Sequence, residues 1–348
     1  MERRKSKEIK IGSVKIGADH PIAVQSMTFT KTANADATVK QILSLERAGC
    51  DIVRFSVPDE ESAKSISYIK EHTHIPLVAD IHFNYKLALA ALERGIDKIR
   101  INPGNIGSPE RIKAVADACR MRGVPIRIGV NGGSLEKHIL AKYGSPTPEA
   151  LCESALYHVR LLEQFDFTDI VVSIKSSDVA DTVRANRLFA EKTDYPLHLG
   201  VTEAGTERMG IIKSSAGIGS LLLDGIGDTI RVSLTDEVEK EVAAARDLLK
   251  ALGLRGGVNI VSCPTCARTN IDVIGLATRL HALLDDCEKN IKVAVMGCAV
   301  NGPGEAKDAD IGIAGGMGEA LLIKHGEIVG KIPEDRVIET LMAEIEKL

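Results

Sequence analysis

Tryptophan is absent from this chain of 348 residues, and aromatic residues make up only 3% of it. Surfaces that stack nucleic-acid bases rely on aromatic faces, so such a function is disfavoured from the outset. Positive charge is not in excess either: 44 Lys and Arg stand against 48 Asp and Glu, a formal net charge of −4. A chain built mainly to hold nucleic acid is expected to be basic, which leaves no more than a local patch for that role. No stretch approaches ~18 uninterrupted apolar residues, so no membrane span is expected. The opening MERRKSKEIK is basic but no apolar run follows it, and no secretory signal is read. Disulfide scaffolding is equally unexpected. Seven cysteines, an odd number in a large chain without export features, fit a reduced cytoplasmic setting.

What is present is ordinary globular material, with 44% hydrophobic and 26% charged residues, and abundant glycine at 31 positions. The length calls for two domains, or one barrel plus an extension. Strand-sized apolar segments recur through the first two thirds: PIAVQSM (21–27), DIVRFSV (51–57), PLVADIH (76–82), KIRINPG (98–104), PIRIGVN (125–131), DIVVSIK (169–175), PLHLGVT (196–202) and TIRVSLT (229–235). Their start-to-start spacings of 30, 25, 22, 27, 44, 27 and 33 residues each leave room for a helix and two loops. The intervening segments read as helices. DATVKQILSLERAG and NYKLALAALERG end in a glycine suited to a C-cap, and SPERIKAVADACRMRG opens with Ser-Pro, an N-cap and first-turn pair. Eight such units in about 250 residues predict a (β/α)8 TIM barrel over 1–250. The alternative, a doubly wound open sheet, is weakened because no GxGxxG follows the first strand. After Gly253 the style changes, and a small α+β domain is expected over 251–348. It has a helix near 271–287, a strand at 292–298, a hairpin about His325–Gly326 and a closing helix.

The second halves of the barrel strands are unusually polar. Alternation puts Arg54 and Ser56 on one face of the second strand, and Asp80 and His82 on one face of the third. Arg100 and Asn102, Arg127 and Asn131, Ser173 and Lys175, His198 and Thr202, and Arg231 and Ser233 follow in turn. Four arginines and a lysine do not serve packing in a barrel that favours Val, Ile and Leu, because buried unpaired charge is expensive. If this face points inward, the residues form a pocket for a strongly anionic ligand, most naturally phosphate or diphosphate. If it points outward, they are ion pairs with the surrounding helices. Asp80, Glu203, His82 and His198 are candidates for proton transfer or positioning. The Gly-rich segments 129–134, 204–210 and 214–228 read as loops whose amides could cradle phosphate oxygens.

The second domain brings Cys263 and Cys266 together in C-P-T-C, with Cys298 following in GCAVNGPGE. Thiolates select zinc, copper(I) or iron–sulfur, and three are one short of a four-thiolate set. Glu305, closing NGPGE, is the sharper candidate for the fourth ligand. Cys287 reads as a buried helix residue, and Cys50, Cys119 and Cys152 as small core residues. Cluster and structural zinc both remain open on spacing alone.

In these same motifs the chain resembles the bacterial 4-hydroxy-3-methylbut-2-enyl diphosphate synthase family (IspG, also called GcpE). The resemblance runs through PIAVQSMT, DIVRFSVP, PLVADIHF, KIRINPGN, IRIGVNGGS, VVSIKSS, LHLGVTEAG and DTIRVSLT. It continues through VSCPTC and VAVMGCAVNGPGEA. It implies a TIM barrel joined to a C-terminal domain whose [4Fe–4S] cluster is held by Cys263, Cys266, Cys298 and Glu305. The implied substrate is 2-C-methyl-D-erythritol 2,4-cyclodiphosphate. Two electrons open its ring and one water leaves, giving (E)-4-hydroxy-3-methylbut-2-enyl diphosphate, a late step of the methylerythritol phosphate route to isoprenoids. Flavodoxin is the implied donor, with ferredoxin used in some organisms. The family forms a homodimer in which each barrel works with its partner's cluster domain. On this reading Arg54, Arg100, Asn102, Arg127, Asn131, Lys175, His198, Thr202, Arg231 and Ser233 surround the substrate. Glu203 delivers a proton, and Asp80 and His82 position the hydroxyl side. The competing reading is a zinc-stabilised, non-redox TIM-barrel enzyme acting on a phosphorylated substrate.

Overall fold

Runs of Val and Ile favour extended backbone, since branching at Cβ restricts the side chain and packs well on a pleated surface. In a computed structural model of the chain, which describes residues 2–285 and 287–348, each of the eight apolar segments contains a strand. The chain divides into two units, the first reaching Leu252 and the second spanning Gly253–Leu348.

The first unit opens with a short antiparallel hairpin, β1 (Ile9–Ile11) and β2 (Val14–Ile16), which composition alone does not announce. Eight strands follow: β3 (Ala23–Met27), β4 (Ile52–Ser56), β5 (Leu77–Asp80), β6 (Lys98–Ile101), β7 (Ile126–Asn131), β8 (Ile170–Lys175), β9 (His198–Leu199) and β10 (Thr229–Ile230). They pair in parallel in the order β8-β7-β6-β5-β4-β3-β10-β9. A bridge between Val172 and Leu197 joins the two ends. There the Val172 N–H donates to the Pro196 carbonyl at 2.9 Å and the Thr202 N–H to the Ser176 carbonyl at 3.2 Å. The sheet is therefore a closed barrel and not a doubly wound open sheet. A helix follows every strand. The long 44-residue start-to-start spacing before the sixth strand accommodates two helices, Lys137–Tyr143 and Pro148–Glu163.

Local chemistry sets the helix ends. Asn34 and Thr147 accept from backbone N–H groups three residues on, satisfying donors that the first turn leaves free. Gly123, at φ 65°, closes Pro109–Arg122 in the left-handed region that a side chain would disfavour. One expectation fails: 214–228 is not a phosphate-cradling loop. Most of it lies in the helix Glu207–Leu223. Its glycines serve close packing, since a Cβ at Gly217 would lie 2.7 Å from Val201 Cγ2. At the N-terminal end of the barrel, Ile9, Ile11 and Ile16 of the hairpin pack on Ala23, Ile52, Val78 and Val171.

The second unit is a five-stranded sheet in the order β11 (Asn259–Ser262), β12 (Lys292–Met296), β13 (Ile311–Gly315), β14 (Glu319–Lys324) and β15 (Glu327–Pro333). The first three strands are parallel and the last two form an antiparallel hairpin. That hairpin turns at His325 and Gly326, both with positive φ (46° and 83°), the geometry that matches the twist of the flanking strands. Val293, Val295, Ile311 and Ile313 face the helices Val273–Leu284 and Val337–Lys347. Ala294, Met296 and Ala314, of opposite parity, pack on Ala306 and Ala309.

Candidate active site: a cationic barrel mouth and a thiol-lined cavity

The C-terminal ends of the barrel strands enclose a cavity of about 340 Å³. It gathers Arg54, Asp80, His82, Arg100, Asn102, Arg127, Asn131, Lys175, Thr202, Arg231 and Ser233 around one space. The polar parity of the strands therefore faces inward. Met27, Asn105, Gly129 and Ser134 also line the cavity. Asn105 and Ser134 escape a strand-parity argument because they sit in the turns that follow β6 and β7.

Two sequence-predicted residues stand apart from this lining. His198 lies deeper: it is wholly buried, with Nδ1 2.8 Å from Thr229 Oγ1. Its strand is only two residues long and pairs His198 with Thr229, itself opposite Ala23 at the start of β3. The polar reach of that segment comes from Thr202 instead. Glu203 is exposed, in the loop just beyond Thr202, and holds a left-handed φ of 53°. For a residue with a side chain that is an uncommon conformation, of the kind that concentrates at functional sites.

The charges do not balance. Asp80 accepts from Arg100 Nη1 at 3.0 Å and lies 3.7 Å from Arg54 Nε. Burial would raise its pKa, but Arg54 and Arg100 more than offset this and hold it below the usual carboxylate value. Arg231 makes a two-pronged contact with Glu241 at 3.0 and 3.1 Å. Glu241 also accepts from Ser26 Oγ at 2.9 Å and from the Leu234 amide at 3.0 Å. The sequence reading missed this buried carboxylate, which sits on the helix Val238–Ala251 among residues that look like a solvated charged face. Arg127 and Lys175 are buried. Among the described residues, no hydrogen-bond partner reaches Arg127 Nε or Nη1. Burial first, and the neighbouring cations second, push the Arg127 and Lys175 pKa values well down. Beneath them Lys98 is wholly buried, with Nζ 3.4 Å from Gln25 Oε1. At an effective dielectric of ~20, two like charges about 5 Å apart repel by about 3 kcal/mol. A polyanion in the mouth would relieve that repulsion and supply the missing acceptors.

Two glycines make room for the cations. A Cβ on Gly129 would lie 2.5 Å from both Nε and Nη2 of Arg100, and one on Gly200 would lie 2.6 Å from Lys175 Nζ.

In the second unit, Cys263, Cys266, Cys298 and Glu305 line one cavity of about 520 Å³. Cys263 and Cys266 follow β11, Cys298 follows β12, and Glu305 ends the short helix Gly302–Glu305. Backbone amides point at the sulfurs. The Gly297 N–H donates to Cys263 Sγ at 3.1 Å. Backbone hydrogen bonds, from Arg268 to Cys266 and from Asn301 to Cys298, draw both thiols below their usual range. Amides that stabilise thiolate suit a soft-metal or cluster ligand set. Among the described residues, no three His, Cys, Asp or Glu side chains converge as they would around a single ion. Cys287 packs against the hydrophobic core of this unit. Burial raises the Cys50 and Cys119 thiols to about 12 and the Cys152 thiol to about 11, as befits core residues.

A barrel with an uncompensated cationic mouth, followed by a domain that gathers three thiols and a carboxylate, defines a TIM-barrel enzyme with an appended thiol-ligand domain. The GcpE TIM-barrel domain matches residues 6–246 and the GcpE protein C-terminal domain matches 259–347. The chain belongs to the GcpE family. It is 58% identical over 343 residues to a protein of Caldicellulosiruptor saccharolyticus named 4-hydroxy-3-methylbut-2-en-1-yl diphosphate synthase (flavodoxin), with 99% of each chain covered. A protein of the same name from Caldanaerobacter subterraneus subsp. tengcongensis is 59% identical, covering 99% of this chain and 98% of its own. Among solved structures, dihydropteroate synthase from Stenotrophomonas maltophilia covers 71% of this chain and 97% of its own, with a TM-score of 0.53 at 16% identity. That likeness concerns the barrel fold alone.

Proposed function

We propose that this chain carries out the reaction in its relatives' name. It would reduce 2-C-methyl-D-erythritol 2,4-cyclodiphosphate to (E)-4-hydroxy-3-methylbut-2-enyl diphosphate, breaking one ring C–O bond with two electrons and releasing one water. The observation that carries this reading is the pairing, in one family member, of a cationic barrel mouth with a cavity lined by Cys263, Cys266, Cys298 and Glu305. The mouth is the diphosphate site. Arg54, Arg100, Arg127, Lys175 and Arg231 supply charge, while Asn102, Asn131, Thr202 and Ser233 supply orienting hydrogen bonds. His198 supports from the layer beneath. Asp80 keeps Arg54 and Arg100 in place, His82 orients the hydroxyl side at the rim, and Glu203 delivers the proton that lets hydroxide leave as water.

The three thiols and Glu305 would hold a [4Fe–4S] cluster, which supplies single electrons at an iron that the carboxylate ligand leaves exchangeable. The scattered placement of the four donors around a cavity supports such a cluster over one zinc, which needs its ligands tetrahedrally about a point. Flavodoxin is the donor, with ferredoxin as the alternative. The working form is a cytoplasmic homodimer in which each barrel is completed by its partner's cluster domain, as the family resemblance implies.

The test is anaerobic turnover of the cyclodiphosphate with an artificial reductant, alongside iron and sulfide analysis. About four irons and four sulfides per chain with product formation are expected. One zinc, no sulfide and no turnover would refute the reading.

A further inference from the structure

Two of the loops that line the barrel mouth lean on one pair of side chains, a buried histidine and a half-buried carboxylate. The turn after β6 carries Asn102 and Asn105, while Asn131 ends β7 and Ser134 lies in the turn that follows it. His158, on the helix Pro148–Glu163, is wholly buried behind them, its Nε2 2.5 Å from Oε1 of Glu136. Glu136 lies two residues beyond Ser134, at the residue before the helix Lys137–Tyr143, so it moves with the second turn. The first turn meets the same pair at Gly104. A Cβ there would lie 3.0 Å from His158 Cε1 and 3.3 Å from both Glu136 Oε1 and Asn102 Oδ1. The Gly104 amide in turn donates to Asn102 Oδ1 at 3.0 Å. Both turns, the imidazole and the carboxylate thus meet at one point, and neither His158 nor Glu136 lines the cavity.

We propose that Glu136 and His158 are positioning residues. Together they fix the separation of the two turns and so hold Asn102 and Asn131 at the spacing a bound diphosphate requires. A leucine in place of His158 would fill the space without desolvating a polar ring. A polar pair with its imidazole buried adds geometric definition where hydrophobic packing would leave neighbouring loops free to slide. The inference rests on the reading of the mouth as a diphosphate site.

The test uses the full-length holoenzyme with inorganic diphosphate as the calorimetric probe, together with KM and kcat for the cyclodiphosphate. His158→Leu keeps the bulk and removes the polar contact. It is expected to weaken diphosphate binding and raise KM by about tenfold or more as the two turns lose their fixed spacing, with kcat within about threefold. His158→Gln, which retains a donor near the Nε2 position, is expected to recover most of the loss. Glu136→Gln, nearly isosteric, should reproduce part of the defect and carries the test if His158→Leu does not fold. Wild type binding diphosphate while His158→Leu and Glu136→Gln bind it equally well would overturn the brace alone. A wild-type chain that binds no diphosphate would overturn the reading of the mouth, and the brace with it.

Discussion

Replacing Gly129 with alanine is a sharp test of how the mouth is built. The residue lies within strand β7, and its φ falls outside the left-handed region, so the backbone itself accepts a side chain. The obstacle is Arg100. The new Cβ would sit 2.5 Å from Nε and Nη2 and 2.8 Å from Cζ, whereas ordinary contact begins near 3.4 Å. The guanidinium must therefore retreat by roughly 1 Å, which strains its 3.0 Å bond to Asp80 and turns its fork from the ligand. Because the clashing atoms are the far end of a flexible chain, the cost to folding should stay below about 1 kcal/mol. The cost to binding should approach one charge-assisted hydrogen bond, about 1.5–3 kcal/mol, or roughly 10- to 150-fold in affinity. Calorimetry with inorganic diphosphate and a thermal melt read the two quantities separately. An Arg100→Ala background adds the decisive control, since Gly129→Ala should then cost nothing further. Equal penalties on both backgrounds, or a lowered melting temperature with no change in affinity, would refute the idea that this glycine acts through Arg100.

Changing Cys263, Cys266 or Cys298 singly to serine should remove most iron, sulfide and turnover, whereas Cys287→Ser should leave the iron content intact; the reverse pattern would show that the ligand set is wrong. Lys175→Met should weaken diphosphate binding by about 1.5–3 kcal/mol while stabilising the ligand-free fold. The sign follows from its depressed pKa. Below the unfolded value of ~10.4 the unfolded chain takes up a proton that the buried site resists, so this lysine costs stability there and the cost fades as pH rises toward that value. Mixing Arg54→Ala with Cys298→Ser should recover about a quarter of wild-type activity if the site is shared across a homodimer, since half of randomly paired dimers are mixed and each has one working site. No recovery despite demonstrated subunit exchange would argue for sites contained within single chains.

The barrel was legible because strand-sized apolar segments recur at helix-length spacings, and from the second onward each carries polar residues of one parity toward its end. Features that depend on tertiary context were not legible. Glu241 occupies a helix position indistinguishable in sequence from its solvated neighbours, and only Ser26 and Arg231 across the helix–barrel contact reveal its burial. Lys98 shares the parity of Arg100, but its complete burial against Gln25 depends on the packing beneath the mouth. The Gly-rich segment after β9 was misread as a loop because glycine usually weakens helices. Here it permits close approach, as at Gly210, where a Cβ would lie 2.5 Å from Leu234 Cδ2. His198 is wholly buried and outside the cavity lining, a depth that alternation, which fixes only a side chain's face, does not give.

The packed barrel interior, floored at its foot by the isoleucine-rich hairpin, makes the cationic cavity a blind well. Ile9, Ile11 and Ile16 seal the end opposite the arginines, so substrate and product share one doorway and occupy the well in turn. Both are diphosphates on the proposed reading, so product must compete directly with substrate rather than slip out behind it. Its departure exposes several like charges at once, so release is fastest when a fresh anion arrives to replace it. Added salt should therefore quicken product exit while weakening substrate capture, and the turnover rate should pass through a maximum as ionic strength rises.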